Sequence, residues 1–237
     1  MKLRFGLVFL VCAALLAAGC GSDSKDSKGD DSSKAASSKK LSKAEKAVAD
    51  DRDNKEKQVS TAEKAFKKDG KDAGACRNLA MSYVALASPA STGDVKNPPP
   101  VPKDRDKNLK KAVTTLEECA TLDSKDRSVK QMLASTYMAT NKYEKAAALN
   151  KELATTAKGE EAANAYYGWG LAASNAQQFD DAIAAWQKFI ALSPAKDPRI
   201  AQIKQSIKAL QTQQANAKTA AATAPAPADA TGDDDKG

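Results

Sequence analysis

Four cysteines and no histidine limit the chemistry open to this 237-residue chain. Without histidine, the commonest proton shuttle and the commonest neutral metal ligand are missing. That excludes a His-paired nucleophile and any zinc site that needs imidazole. The sequence also holds no Gly-rich phosphate loop, no Cys-x-x-Cys pair and no nucleophile elbow. No catalytic residue, no metal site and no cofactor are expected, so the chain reads as a protein that is not an enzyme. Three thiols remain of interest: Cys20 at the end of an apolar run, and Cys76 and Cys119 within helical periodicity.

The elements around Cys20 are an address. Lys2 and Arg4 precede an uncharged stretch from Phe5 to Ala18, closed by Gly19-Cys20. Fourteen helical residues rise roughly 21 Å, short of the ~30 Å hydrocarbon layer, so a secretory signal is expected over residues 1–19 rather than a permanent span. The ending Leu15-Leu16-Ala17-Ala18-Gly19-Cys20 resembles the lipobox of bacterial lipoproteins, with Ala17 where that family prefers Leu. The resemblance implies cleavage before Cys20 and a diacylglycerol on its sulfur. The alternative is ordinary cleavage near Ala18, leaving Cys20 a free thiol. Residues 20–40 read as a tether, since eighteen of the twenty residues from Gly21 to Lys40 are Gly, Ser, Asp or Lys. Such a stretch buries no apolar area and would hold a folded part about 25 Å from the lipid. The expected location is a bacterial cell envelope, lipid-anchored on the extracytoplasmic side of a membrane.

Composition favours helices for the rest. Nearly half of the 42% hydrophobic content is alanine, only 5% of residues are aromatic, and Gly and Pro cluster outside the apolar-periodic stretches. The decisive feature is self-similarity. Asn141-Lys142-Tyr143-Glu144-Lys145-Ala146 recurs as Gln177-Gln178-Phe179-Asp180-Asp181-Ala182, preceded in turn by Leu133-Ala134 and Trp169-Gly170. Ala112, with Leu116, Cys119 and Leu122 at the same offsets, marks an earlier copy, and Pro194 closes the last.

These residues resemble the tetratricopeptide repeat family. The resemblance implies an all-α fold of helical hairpins stacked as a short right-handed superhelix. Small residues let paired helices approach closely, and the aromatic after the turn fills the gap between pairs. About three repeats are expected over residues 73–196, interrupted by a Pro-rich insertion at 88–106 that holds four prolines between Pro98 and Pro102. That insertion reads as a stiff surface segment rather than a docking motif. A capping-helix region is expected over 41–72, with a polar middle at Asp50 to Asn54 that would fray. A second capping helix is expected over 197–213, with Asp197-Pro198 as its start and Ile200, Ile203, Ile207 and Leu210 as its apolar face. A disordered tail would follow over 214–237.

Antiparallel pairing within the interrupted repeat would bring Cys76 and Cys119 together. In an oxidising compartment they would form a disulfide, for which their Cα atoms must lie within about 7 Å. The alternative is two buried thiols packing as small apolar groups. In the family, the first helix of each pair lines a concave face. Carried over, that face presents Arg77, Met81 and Val84, then Gln131, Ser135 and Met138, then Tyr167, Leu171 and Asn175. Such a mixture of methionine, tyrosine and amides suits a protein or peptide partner. The family's Lys/Asn pattern for gripping a C-terminal carboxylate is absent. The net charge of +7 is spread among dispersed lysines, so no nucleic-acid partner is expected, and no small-molecule substrate is evident. The expected function is an envelope scaffold or assembly adaptor. The rivals are a structural or self-associating spacer and, further off, a cell-wall enzyme or its regulatory subunit.

Overall fold

A computed structural model describes residues 42–91 and 98–223. The expected signal, Cys20, the expected tether and residues 224–237 lie outside the described residues. Among those described there are eight helices and no strand: α1 (Lys43–Lys68), α2 (Ala73–Ala87), α3 (Arg105–Leu122), α4 (Arg127–Ala139), α5 (Tyr143–Thr156), α6 (Gly159–Asn175), α7 (Phe179–Leu192) and α8 (Arg199–Thr223). Each packs chiefly on its neighbours in sequence, α1 on α2 and so on to α7 on α8. This quasi-one-dimensional arrangement is that of stacked tetratricopeptide-type hairpins, α2/α3, α4/α5 and α6/α7.

Local sequence starts and stops these helices in a repeating way. The first helices of two hairpins are capped by aspartates: Asp72 accepts from the Gly74 and Ala75 N–H groups, and Asp126 from Ser128 and Val129. Those carboxylates satisfy amide groups that a helix start leaves unpaired. The second helices α5 and α7 have no side-chain cap. Instead the chain turns through Asn141 (φ 58°) and Gln177 (φ 61°), both left-handed. The Lys142 N–H then donates to Tyr137 O at 2.9 Å and Gln178 N–H to Ala173 O at 2.8 Å. That six-residue closure ties each tight hairpin shut.

The core runs along the stack at the positions the repeat predicts. Ala80, Ala112, Ala146, Ala173 and Ala182 are fully enclosed, and so is Phe189. Enclosing a phenylalanine side chain contributes roughly 1.5–3 kcal/mol. At Gly170 the helices approach so closely that a Cβ would stand 2.3 Å from Trp186 Cδ1.

Three boundaries differ from the sequence expectation. The middle of α1 does not fray. Arg52 grips Asp104 with two hydrogen bonds, of 2.9 and 2.6 Å, and reaches Glu56 at 2.6 Å. Lys55 pairs with Asp51 and donates to the Ser88 and Pro89 carbonyls. Polar residues read as a weak point are thus partners for the insertion. Of that insertion, residues 100–104 lie against α1, with Pro100 and Pro102 facing Val48 of α1 and Leu86 of α2 across a cavity of about 230 Å³. Finally, α8 does not stop at 213 but continues to Thr223, so residues 214–223 belong to the helix rather than the tail. Its Ala/Gln/Thr/Lys composition has no breaker, and alanine is the best helix former.

A repeated contact shows what α1 is. Tyr137 on α4 donates to Glu117 of the preceding helix at 2.7 Å, while Lys145 of the following helix covers the ring at 5.4 Å. Tyr83 on α2 donates to Glu63 of α1 at 2.5 Å, and Lys111 covers that ring at 4.9 Å. In both pairs the tyrosine follows its glutamate by 20 residues. So α1 stands to α2 as α3 stands to α4. It occupies the place of a second helix in a hairpin, where the sequence suggested only a cap. Burial, then the glutamate, raises both phenols; Tyr83 is pushed up to about 12.

Candidate functional site

The first helices α2, α4 and α6 form one face of the stack, and a groove crosses it. Between α4 and α6 a cleft of about 490 Å³ is lined by Gln131, Ser135 and Met138 of α4, with Glu161, Gly168 and Leu171 among the residues from α6. Asn150 and Leu153 of α5 form its floor. A smaller cavity of about 230 Å³ lies between α2 and α4, lined by Val84, Ala87, Leu109, Met132, Ser135 and Thr136 among others. Ser135 lines both.

The cleft exists because two side chains are small. At the repeat position that holds Leu116 in α3 and Trp186 in α7, α5 carries Asn150. Its amide group donates to Ala146 O at 2.9 Å, turning the side chain back along its own helix. Opposite stands Gly168, where a Cβ would lie 2.7 Å from Asn150 Oδ1. A large residue at either position would close the space.

The charges around the groove are already paired. Arg127 donates to Glu161 at 2.7 Å, to the Thr156 hydroxyl at 2.7 Å and to Leu153 O at 3.2 Å. Gln131 also donates to Glu161. Arg199 reaches Asn164 Oδ1 at 2.9 Å and holds Asp197 below the usual carboxylate range through their hydrogen bond. Burial works to raise Asp126. Hydrogen bonds from the Val129 N–H, from Arg77 and from the Ser128 N–H outweigh it and hold the group below its ordinary value. What faces an incoming ligand is mostly neutral: amides, a serine hydroxyl and the apolar tips of Met138 and Leu171, beside the Glu161 carboxylate that Arg127 holds.

The residues expected to line one surface therefore divide. Gln131, Ser135, Met138 and Leu171 share the α4–α6 cleft. Met81, 50% exposed, lies in a separate, wider groove of about 1080 Å³ between α1 and α2. Arg77 is tied to Asp126 at 2.7 Å and serves to join α2 to the start of α4. Tyr167 is packed between Phe189 and the Arg199 guanidinium, with centroid distances of 5.3 and 5.1 Å. Asn175 is exposed beyond the cleft and donates to Leu171 O. Those four placements share one cause: helical spacing gives the face a residue points to, but not which neighbours use it. Asn150, Glu161, Asn164 and Gly168 line the cleft without having been expected there. The departure at Asn150 and a glycine inside a helix were the available signals.

Cys76 and Cys119 are joined by a disulfide, with Cα atoms 5.6 Å apart, that ties the start of α2 to the end of α3. Among the described residues no three His, Cys, Asp or Glu side chains cluster so as to hold a metal ion. No described helix is long and apolar enough to cross a membrane.

No family model and no curated protein matches the chain. Solved structures do. A "MamA RS-1 ArsTM double mutant" structure aligns over 72% of this chain and 81% of its own, with a TM-score of 0.52 and 18% sequence identity. A thermophilic TPR protein of Thermus thermophilus, TTC0263, aligns over 65% and 71% of the two chains, with a TM-score of 0.43 and 14% identity. Likeness at such identities concerns the fold alone.

Proposed function

We propose that this protein is a lipid-anchored extracytoplasmic scaffold whose α4–α6 groove holds a segment of a partner protein. The observation that carries the reading is the cleft itself: concave, mostly neutral and open, with Met138 and Leu171 exposed among amides whose charged neighbours are satisfied. Flexible methionine beside amides adapts to a peptide backbone and to small side chains. A lining of amides, a serine and apolar tips fits binding rather than turnover.

The location is part of the same reading. The residues from Lys2 to Cys20 support export and acylation at Cys20, and two acyl chains suffice for stable attachment. A Cys76–Cys119 bond suits an oxidising space. Replacement of Cys20 by Ser abolishes incorporation of labelled fatty acid and releases the protein from membranes if the anchor is real. Retention of both label and membrane attachment would refute it.

The groove is tested by photoreactive residues at Ser135, Met138 and Leu171 in the full chain in living cells, with Lys151 on the opposite face as the control. One foreign protein captured from the three groove positions and not from Lys151 is expected. Equal labelling from both faces would overturn the assignment.

A further inference from the structure

The two ends of the stack are complementary halves of a hairpin. At one end α1 has the register of a second helix, as the Tyr83–Glu63–Lys111 contact shows, but no described helix supplies its first-helix partner. The face it would offer that partner carries Asn54, Gln58, Thr61 and Ala65, which line the open groove beside α2. From α2 the same groove takes Ala75, Asn78 and Met81, the helix positions that Ala165, Gly168 and Leu171 occupy in the α4–α6 cleft. The groove is more than twice as large because the flanking first helix is missing. At the other end α8 packs on α7 as a first helix would, through Ile203, Ile207 and Leu210, and has no described second helix of its own.

Length agrees with this. α1 has 26 residues and α8 has 25, whereas the six helices between them have 13 to 18. Lys55 is level with the end of α2, so the residues of α1 before it project past that end. Gln214 is level with the first turn of α7, where it meets Asp180, so α8 beyond it projects likewise. Because helices alternate in direction, both overhangs leave the stack at the same end. An antiparallel α8–α1 pair would therefore match along its whole length.

α8 carries Arg199, Lys204 and Lys208 in its first half and no acidic residue anywhere. Between Asp50 and Lys57, α1 carries four acids against three bases: Asp51 pairs with Lys55, Asp53 with Lys57, and Arg52 with Glu56 and Asp104. With the levels matched as in α6 and α7, where Gly170 lies against Trp186, Lys204 falls beside Gln58 and Ala62, and Lys208 one turn nearer Glu56. We infer that α8 of one copy seats in the α1–α2 groove of the next, so that copies stack head to tail. Lys204 stands where α2, α4 and α6 carry Ala80, Ala134 and Gly170, and Gln58 stands where the second helices carry alanine. The contact is therefore wider and more polar than an internal hairpin. Confinement to a membrane would raise its occupancy through effective concentration. The surface is distinct from the α4–α6 groove and the inference stands independently of the partner proposed there.

The test uses the full chain in membranes, with a photoreactive residue at Thr61. The expected result is a self-adduct whose crosslink maps to α8 near Lys204 and Lys208, lost when Lys204→Glu and Lys208→Glu are combined. A second arm mixes that double variant with one blocked in the groove, Thr61→Arg with Ala65→Arg. Neither should pair with itself, whereas the mixture should give a dimer and nothing longer, since only one groove and one α8 remain free. All four positions are exposed, and circular dichroism checks that the variants fold. No self-adduct, an adduct mapping away from α8, capture of a foreign protein at Thr61, or association that survives in each variant alone would overturn the inference. Loss of foreign capture at Met138 with self-adducts intact would instead strike only the groove assignment.

Discussion

Two glycines on one helix allow a controlled test of how the stack is packed. Gly170 and Gly168 both lie inside α6, where replacement by alanine normally stabilises a helix by about 1 kcal/mol. At Gly170 the new Cβ would meet Trp186 Cδ1 at 2.3 Å, Nε1 at 2.4 Å and Cγ at 2.7 Å. The indole is only 4% exposed and cannot swing away, so α6 and α7 must part. Overpacking of this kind costs about 1–3 kcal/mol. A clash with a rigid ring belongs at the upper end, which leaves a net loss of about 2 kcal/mol after the helix gain. At Gly168 the Cβ meets Asn150 alone, 2.7 Å from Oδ1, 3.1 Å from Cγ and 3.4 Å from Nδ2, a half-buried side chain that can rotate. Gly168→Ala should therefore leave stability unchanged or raise it by up to ~1 kcal/mol. Urea unfolding followed by circular dichroism reads the difference, about 2–3 kcal/mol between two variants two residues apart. In thermal melts Gly170→Ala should fall by roughly 4–8 °C. A Gly170→Ala protein as stable as the parent would refute the close approach and the hairpin packing argued from it. Gly168→Ala should separate stability from binding, because its methyl group enters the α4–α6 cleft while the fold persists.

Three further outcomes follow from named contacts. Replacing Cys76 and Cys119 together by alanine opens a loop with a sequence separation of 43, which costs about 4 kcal/mol by chain entropy; urea midpoints with and without reductant check it, and reductant should leave the double variant unchanged. Asp104 is held down to about 2 by its hydrogen bonds from Arg52, below its ordinary 3.8. Its folded value being the lower one, its contribution is complete above about pH 4 and is lost as pH falls toward 2. Asp104→Asn should remove that part of the acid dependence, seen as the difference between two denaturation series. Gln177 adopts a left-handed φ of 61° that glycine takes without strain, so Gln177→Gly should stabilise by about 1 kcal/mol, measured in the same urea assay.

The hairpins were legible because close packing leaves marks in composition. An alanine at 112, 146 and 182 and a small residue at 134 and 170 are required wherever two helix backbones nearly touch, and only small residues fit. The ends were less legible. Nothing in Asp50 to Asn54 says that Arg52 will find Asp104, 52 residues away, and the α8 tail is helical through alanine propensity rather than an apolar stripe. The role of α1 was hidden for a similar reason. Its register shows in Glu63, whose meaning depends on Tyr83 across the interface, and not in an alanine at the usual place, where Gln58 stands.

The same distinction explains which groove residues could be foreseen. A side chain that obeys the repeat pattern is consumed by packing, as Trp186 is, or by an ion pair, as Arg77 is with Asp126. A position left free for a ligand must be one that the stack does not need. Asn150 is such a position: where Leu116 and Trp186 fill the layer, it turns back on Ala146 O and leaves space facing Gly168. The departure that weakened the repeat pattern in sequence is what opens the cleft in three dimensions. Helical stacking alone would place a shallow furrow between any two first helices. What deepens this one is a small polar side chain on α5 opposite a missing one on α6. Asn150→Trp, the residue that α7 carries at the matching position, should consequently project into the cleft and abolish capture at Met138. If capture persisted with the layer filled, the partner would be held by the helix surfaces and not by the space between them.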